Sequence, residues 1–168
     1  EDWDTMGMRG TGSNSVVLKE VFVPEDSISL SRPSGKWMTF FDVISPIAWS
    51  LVMSAYLGVA ETAREIAIAE AKKKKDDRVV QEIVGEMDTD LLCAQMALEC
   101  LVGLVGPEFT PSTENSNLTY RYKTIVTKSS IRAVEKAMEV VGGMSFYRQV
   151  GLERCFRDIQ GARFHPLQ

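Results

Sequence analysis

Residues 80–107 form the sequence VQEIVGEMDTDLLCAQMALECLVGLVGP, in which apolar side chains recur at alternating steps of four and three residues. These positions are Val80, Val84, Met87, Leu91, Ala94, Leu98, Leu101 and Val105. Such steps place side chains on one face of an α-helix. Gly106 and Pro107 end the pattern because neither residue favours a continuing helix. The stretch therefore predicts a long helix that packs against other helices through one face.

Two neighbouring stretches show the same spacing. The first begins near Asp42, and its apolar positions are Val52, Ala55, Val59, Ala63 and Ile66, flanked by Tyr56, Ala60 and Ala67. The second has Leu118, Tyr122, Ile125, Ser129, Ala133, Ala137 and Val140, and it ends at Gly142 and Gly143, where glycine is a common helix cap. A shorter helix is predicted over LERCFRDI, residues 152–159. Short connections favour a mainly α, up-and-down four-helix bundle.

The segment before the helices has a different pattern. SNSVVLKEVFVPE, Ser13 to Glu25, is rich in β-branched and aromatic residues and predicts one short β-strand. A single strand leaves its backbone N–H and C=O groups unpaired on both edges. We therefore expect it to join a sheet supplied by an upstream segment or by another subunit.

Composition argues against several classes of function. The 168 residues, 45% hydrophobic and 25% charged, favour one main domain. A net charge of -4 argues against nucleic acid as a partner, because phosphate binding requires a basic surface. The three cysteines have no CxxC spacing, so we expect no disulfide framework, no metal site and a reducing, cytoplasmic location. No apolar run approaches the roughly 20 residues of a membrane span, so we expect no membrane partner.

His165 is the single histidine of the chain and precedes Pro166. An imidazole titrates near neutrality, so His165 is a candidate general base, although a lone histidine is more often structural. The Gly142–Gly143 pair is either a helix cap or a place where a cofactor approaches the backbone closely. No Ser-His-Asp or Cys-His pattern accompanies the histidine.

Three stretches together resemble the acyl-CoA dehydrogenase family, in the family's order. WDTMGMRGTGSNSVVLKEVFVPEDSI (residues 3–28) is similar to the end of its middle β-domain, and AYLGVAETAREIA (residues 55–67) to its first bundle helix. EVVGGMSFYRQVGLERCFRDIQGARFHP (residues 139–166) resembles its closing signature. The resemblance implies that residues 1–36 are the end of the β-domain with a linker, and that residues 37–168 are the C-terminal bundle.

The resemblance implies a flavin-dependent oxidoreductase that contains FAD and oxidises the CH–CH bond of an acyl thioester or similar small molecule. FMN or a reduced flavin is the alternative cofactor, and family members form dimers or tetramers through the bundle. The family's Gln-x-x-Gly-Gly contact to the adenine half of a neighbouring subunit's FAD corresponds to Glu139, Gly142 and Gly143, with glutamate replacing glutamine. Its phosphate-binding Arg-x-x-Phe-Gly element corresponds to Arg78, without the Phe-Gly.

The resemblance also bears on the catalytic position. The family's catalytic glutamate follows its Arg-Asp pair, and counting forward from Arg157 and Asp158 leads to His165. A sister branch of flavin-dependent monooxygenases has a histidine there, beside the flavin ring. Three alternatives follow: dehydrogenation of an acyl thioester, monooxygenation through His165, and a non-catalytic oligomerisation module.

Overall fold

The computed structural model describes residues 2–165, and four α-helices dominate it. They are α1 (Thr39–Ala71), α2 (Arg78–Gly103), α3 (Thr113–Val141) and the short α4 (Leu152–Ile159). The three long helices all contact one another, and α4 packs against α1 and α3. The predicted mainly α helical bundle is therefore confirmed.

Local sequence explains where the long helices begin and end. The Asp77 side chain accepts hydrogen bonds from two backbone N–H groups in the first turn of α2, and the Ser112 side chain accepts one from the Asn115 N–H of α3. Gly142 caps the C-terminus of α3 with φ of 74°, a conformation that glycine adopts without steric cost. The α1 helix begins before the predicted Asp42, and α2 ends before Gly106.

The core lies along the predicted face of α2 but departs in part from the predicted faces of α1 and α3. On α1 the neighbouring face with Ala60 and Ala67 is fully buried, whereas Ala55 of the predicted face is exposed. Met87 and Leu101 of α2 are fully buried, as expected. On α3, however, Ile125 is 44% exposed, whereas the polar residues Thr119 and Lys123 are fully buried. The predicted apolar face is wrong for the first half of α3. There the inner face contacts polar groups of the segment around residue 165 as well as apolar helix faces.

The segment before α1 differs from expectation in two respects. Within residues 2–165 no strand is formed, since the Ser13–Glu25 stretch has no partner strand with which to share a hydrogen-bond ladder. Its apolar side chains, such as Val16 and Phe22, are exposed. Contrary to our expectation for membrane spans, the stretch Thr39–Lys74 is long and apolar enough to cross a bilayer, a property shared by core helices of soluble bundles.

Candidate functional site

A cleft of about 460 Å³ lies where the two ends of the described chain meet. One wall is the segment before the helices, and the other is the histidine segment, residues 160–165, which continues from α4. The lining is largely apolar, and it includes Trp3, Met6, Met8, Tyr56, Gln160 and His165. A cleft of this size is within the range of small-molecule sites.

The first wall is held by the Gly7 turn (residues 6–12), which docks on α4. The backbone N–H of Met8 donates to Asp158 Oδ1 at 2.7 Å, and Arg157 Nη1 donates to the Met6 carbonyl at 2.9 Å. Gly7 approaches α4 so closely that a Cβ there would overlap the Arg157 carbonyl. The Gly-Met-Arg-Gly-Thr stretch (residues 7–11) and the Arg157–Asp158 pair are far apart in sequence, and they are in direct contact in the fold.

His165 contributes its imidazole to the second wall. Its Nε2 lies 2.9 Å from the Tyr56 hydroxyl of α1, and either atom donates depending on the tautomer. Burial, and then the positive charge of Lys123, lower the pKa of His165 below its ordinary value of 6.5. Burial, and then the negative charge of Asp158, raise the pKa of Tyr56 above 10.0. At neutral pH the pair is therefore a neutral imidazole and a protonated phenol.

Lys123 lies behind the imidazole, on the inner face of α3. Its ammonium donates to the His165 backbone carbonyl at 3.1 Å and stands 4.4 Å from the centre of the Trp49 ring. Burial lowers the pKa of Lys123 from its ordinary value of 10.5. Sequence reasoning missed this lysine, although a polar stripe at helical spacing was visible. That stripe comprises Ser116, Thr119, Lys123, Thr127 and Ser130.

The other predicted site residues lie at a second place in the bundle. Arg78 is the first residue of α2, and Gly142 and Gly143 follow α3; Lys74 Nζ, near Arg78, donates to the Val140 carbonyl at 3.4 Å. From Lys123 to Gly142, α3 rises about 28 Å at about 1.5 Å per residue, so His165 is remote from this end. Glu139, exposed beside the glycines, is paired with Lys136, and no cluster of metal-ligating residues occurs among the described residues.

Comparisons with known proteins agree with this architecture. A family model described as "Acyl-CoA dehydrogenase, C-terminal domain" matches residues 52–167. The "Putative acyl-CoA dehydrogenase YdbM" of Bacillus subtilis (strain 168) is 34% identical, over 99% of this chain and 44% of its own length. Dibenzothiophene monooxygenase of Mycolicibacterium goodii is 26% identical, over 98% of this chain and 46% of its own length. An X-ray structure of KijD3 with FMN and a dTDP-amino sugar matches with a TM-score of 0.84 at 23% identity, covering 98% of this chain and 43% of that one.

The chain thus spans less than half the length of these curated relatives. Its relatives also include an amino sugar nitrososynthase and a flavin-dependent monooxygenase. Proteins similar to this chain therefore carry out several different oxidoreductase reactions. The family model covers most of the chain, including α2, α3 and α4 in full. The chain therefore belongs to the acyl-CoA dehydrogenase family, of which it carries the C-terminal domain.

Proposed function

We propose that this chain is the C-terminal part of a flavin-dependent monooxygenase that acts on a small molecule bound in the cleft beside His165. The observation that carries the proposal is the neutral imidazole of His165, held by Tyr56 at the edge of the cleft. Among the described residues that line the cleft, none is aspartate or glutamate. A carboxylate base of the dehydrogenase kind is therefore not supplied by these residues.

The residues of the cleft fit a flavin ring. Its walls include the apolar side chains of Trp3, Met6 and Met8, which suit a flat aromatic ligand. The buried Nε2 of Gln160 has no hydrogen-bond partner within residues 2–165, although its Oε1 accepts from Arg163. A buried unpaired amide is costly, and a flavin carbonyl or ring nitrogen is an acceptor of the kind it lacks. We infer that Gln160 and these apolar residues hold the ring.

A bound reduced flavin would supply the electrons that activate oxygen. Residues of this chain would accept the proton that the substrate releases. Because the imidazole of His165 is neutral at pH 7, it can accept a proton from a substrate hydroxyl or amine. Tyr56, which stays protonated, fixes the ring and selects its tautomer through the bond to Nε2. The docked Gly7 turn and Trp3 supply one apolar wall of the cleft, against which the substrate would pack.

Dehydrogenation of an acyl thioester is the second candidate, favoured by the 34% identity with a protein named as an acyl-CoA dehydrogenase. In that reaction His165 would be the base that removes the α-proton. The two candidates differ in their co-substrates, since only the monooxygenase consumes oxygen to hydroxylate its substrate.

The test is a flavin-binding titration of the full-length protein, followed by assays of turnover. We expect reduced flavin to bind more tightly than oxidised flavin, and oxygen-dependent hydroxylation to fall about a hundredfold or more in His165→Ala. Tight binding of oxidised FAD together with enoyl product from acyl-CoA substrates would instead support dehydrogenation. A protein that binds no flavin in either state would be the oligomerisation module.

Assembly through the bundle is part of the same proposal. Arg78 begins α2, Gly142 and Gly143 follow α3, and Arg78 and Gly143 are exposed; these residues would meet the nucleotide part of a flavin held by a neighbouring subunit. The α1 helix also carries exposed apolar residues suited to a homo-oligomer contact, namely Phe40, Val43, Ile44, Ile47 and Leu51. Light scattering should show a dimer or tetramer, and Arg78→Ala should weaken flavin binding; a monomer would contradict this part of the proposal.

A further inference from the structure

Lys123 is a buried cation in a place where an apolar side chain would pack without an electrostatic cost. Its side chain is fully buried, between α1, its own helix α3 and the histidine segment. Removing an ammonium from water is unfavourable, and replacing buried charges by apolar groups of similar volume is often neutral or stabilising. Stability alone therefore does not account for a lysine at this position.

The described contacts of Lys123 converge on His165. The ammonium donates to the backbone carbonyl of His165, and the Trp49 ring lies against the same ammonium. Trp49 also meets the imidazole edge-on, with ring centres 5.4 Å apart. The Lys123 ammonium, packed on the Trp49 indole, therefore fixes the backbone carbonyl of His165, while the Tyr56 hydroxyl fixes its ring.

We propose that Lys123 is the positioning residue for His165: its ammonium, seated on Trp49, fixes the carbonyl of His165 and so places the imidazole at the cleft. The inference deepens the proposed function and rests on it for the activity readout only. Lys123 is not among the described residues that line the cleft, whereas His165 is, so Lys123 acts through His165.

The titratable and charged groups around His165 come from several elements. Helix α1 supplies Tyr56, α3 supplies Lys123, and α4 supplies Arg157 at the cleft and Asp158 beside Tyr56. The described cleft residues of the segment before the helices are uncharged. Of these groups, Lys123 is the cation that opposes protonation of the imidazole, so its removal should raise the pKa of His165.

The direct test measures the pKa of His165 by NMR in the full-length protein labelled with ¹³C-histidine. The signal missing from His165→Gln identifies the residue. We expect the pKa to rise in Lys123→Met, and to stay at the wild-type value in Lys128→Met, which removes an exposed lysine from the same helix. An unchanged pKa in a folded Lys123→Met variant would overturn the inference.

Activity measurements separate the positioning role of Lys123 from the effect of its charge on the pKa of His165. Misplacing a reacting group by about 1 Å costs about a hundredfold, so we expect kcat of Lys123→Met to fall about tenfold to a hundredfold, with its pH profile moved to higher pH. Lys123→Gln keeps a hydrogen-bond donor for the His165 carbonyl but removes the charge. It should therefore show the raised pKa of His165 with a smaller loss of kcat. The same variant replaces Lys123→Met in the test if Lys123→Met does not fold. Equal, wild-type kcat in both variants would contradict the positioning role. If His165→Ala retains full activity, the proposed function fails, whereas the NMR titration still decides the inference about Lys123.

Discussion

Replacing Gly7 by alanine tests whether the first wall of the cleft depends on close docking. A Cβ at this position would overlap the Arg157 carbonyl and lie 2.8 Å from the Asp158 nitrogen, and both are backbone atoms of α4 that cannot rotate away. The Gly7 turn must therefore lift, which breaks the hydrogen bond from Met8 to the Asp158 carboxylate. Overpacking costs about 1–3 kcal/mol, and a hydrogen bond to a charged group is worth about 1.5–3 kcal/mol.

These two costs overlap, because a turn that lifts relieves the clash. We expect the docked state to be weakened by about 2–4 kcal/mol, which is about 30- to 700-fold in the ratio of docked to undocked protein. Hydrogen exchange followed by mass spectrometry measures this as lost protection in peptides covering residues 3–12 and 157–161. Gly10→Ala is the matched control, since a Cβ at Gly10 meets no atom within 4 Å. Equal protection in the two variants would show that the turn does not need the close approach at Gly7.

Four further changes test the core, the pH response and the cleft. Leu101→Ala removes a fully buried side chain of α2 and should lower the free energy of unfolding by about 2–5 kcal/mol in denaturant titrations, whereas Leu92→Ala, at a position 54% exposed, should change it little. Because the pKa of His165 is lowered in the fold, the unfolded chain binds more protons below pH 6.5; stability should fall as the pH drops from 6.5 through the lowered pKa, and His165→Gln should flatten this part of the curve. Gln160→Leu removes the unpaired amide and should raise the flavin dissociation constant about tenfold, which a fluorescence titration would detect. Gly161→Ala would place a Cβ 2.9 Å from the Tyr56 hydroxyl, so turnover should fall while the melting temperature stays nearly constant.

The sequence predicted the bundle well because apolar spacing and caps act locally. The face of α2 with Met87 and Leu101 and the cap at Gly142 follow from patterns within single segments. The strand at residues 13–25 was not found, because a strand depends on a partner that the described residues do not include.

The candidate site was less predictable because its contacts join distant segments. The family resemblance singled out His165, but nothing in the sequence pairs it with Tyr56, which we had assigned to a packing face. Lys123 was not predicted as a site residue, because a lysine in a helix is normally expected to face solvent. Its burial follows from the position of residues 160–165, which no pattern within α3 reveals.

The hydrogen bond between Met8 and Asp158 joins residues 150 positions apart, which has a consequence for the order of folding. Contacts within and between successive helices close short loops, whereas this contact must close almost the whole described chain. We therefore expect the helices to assemble first and the cleft to form last. Until α4 has been synthesised and docked, the apolar side chains of Trp3 and Met8 lack the surface against which they pack, and this is the stage at which the nascent chain is most prone to aggregate.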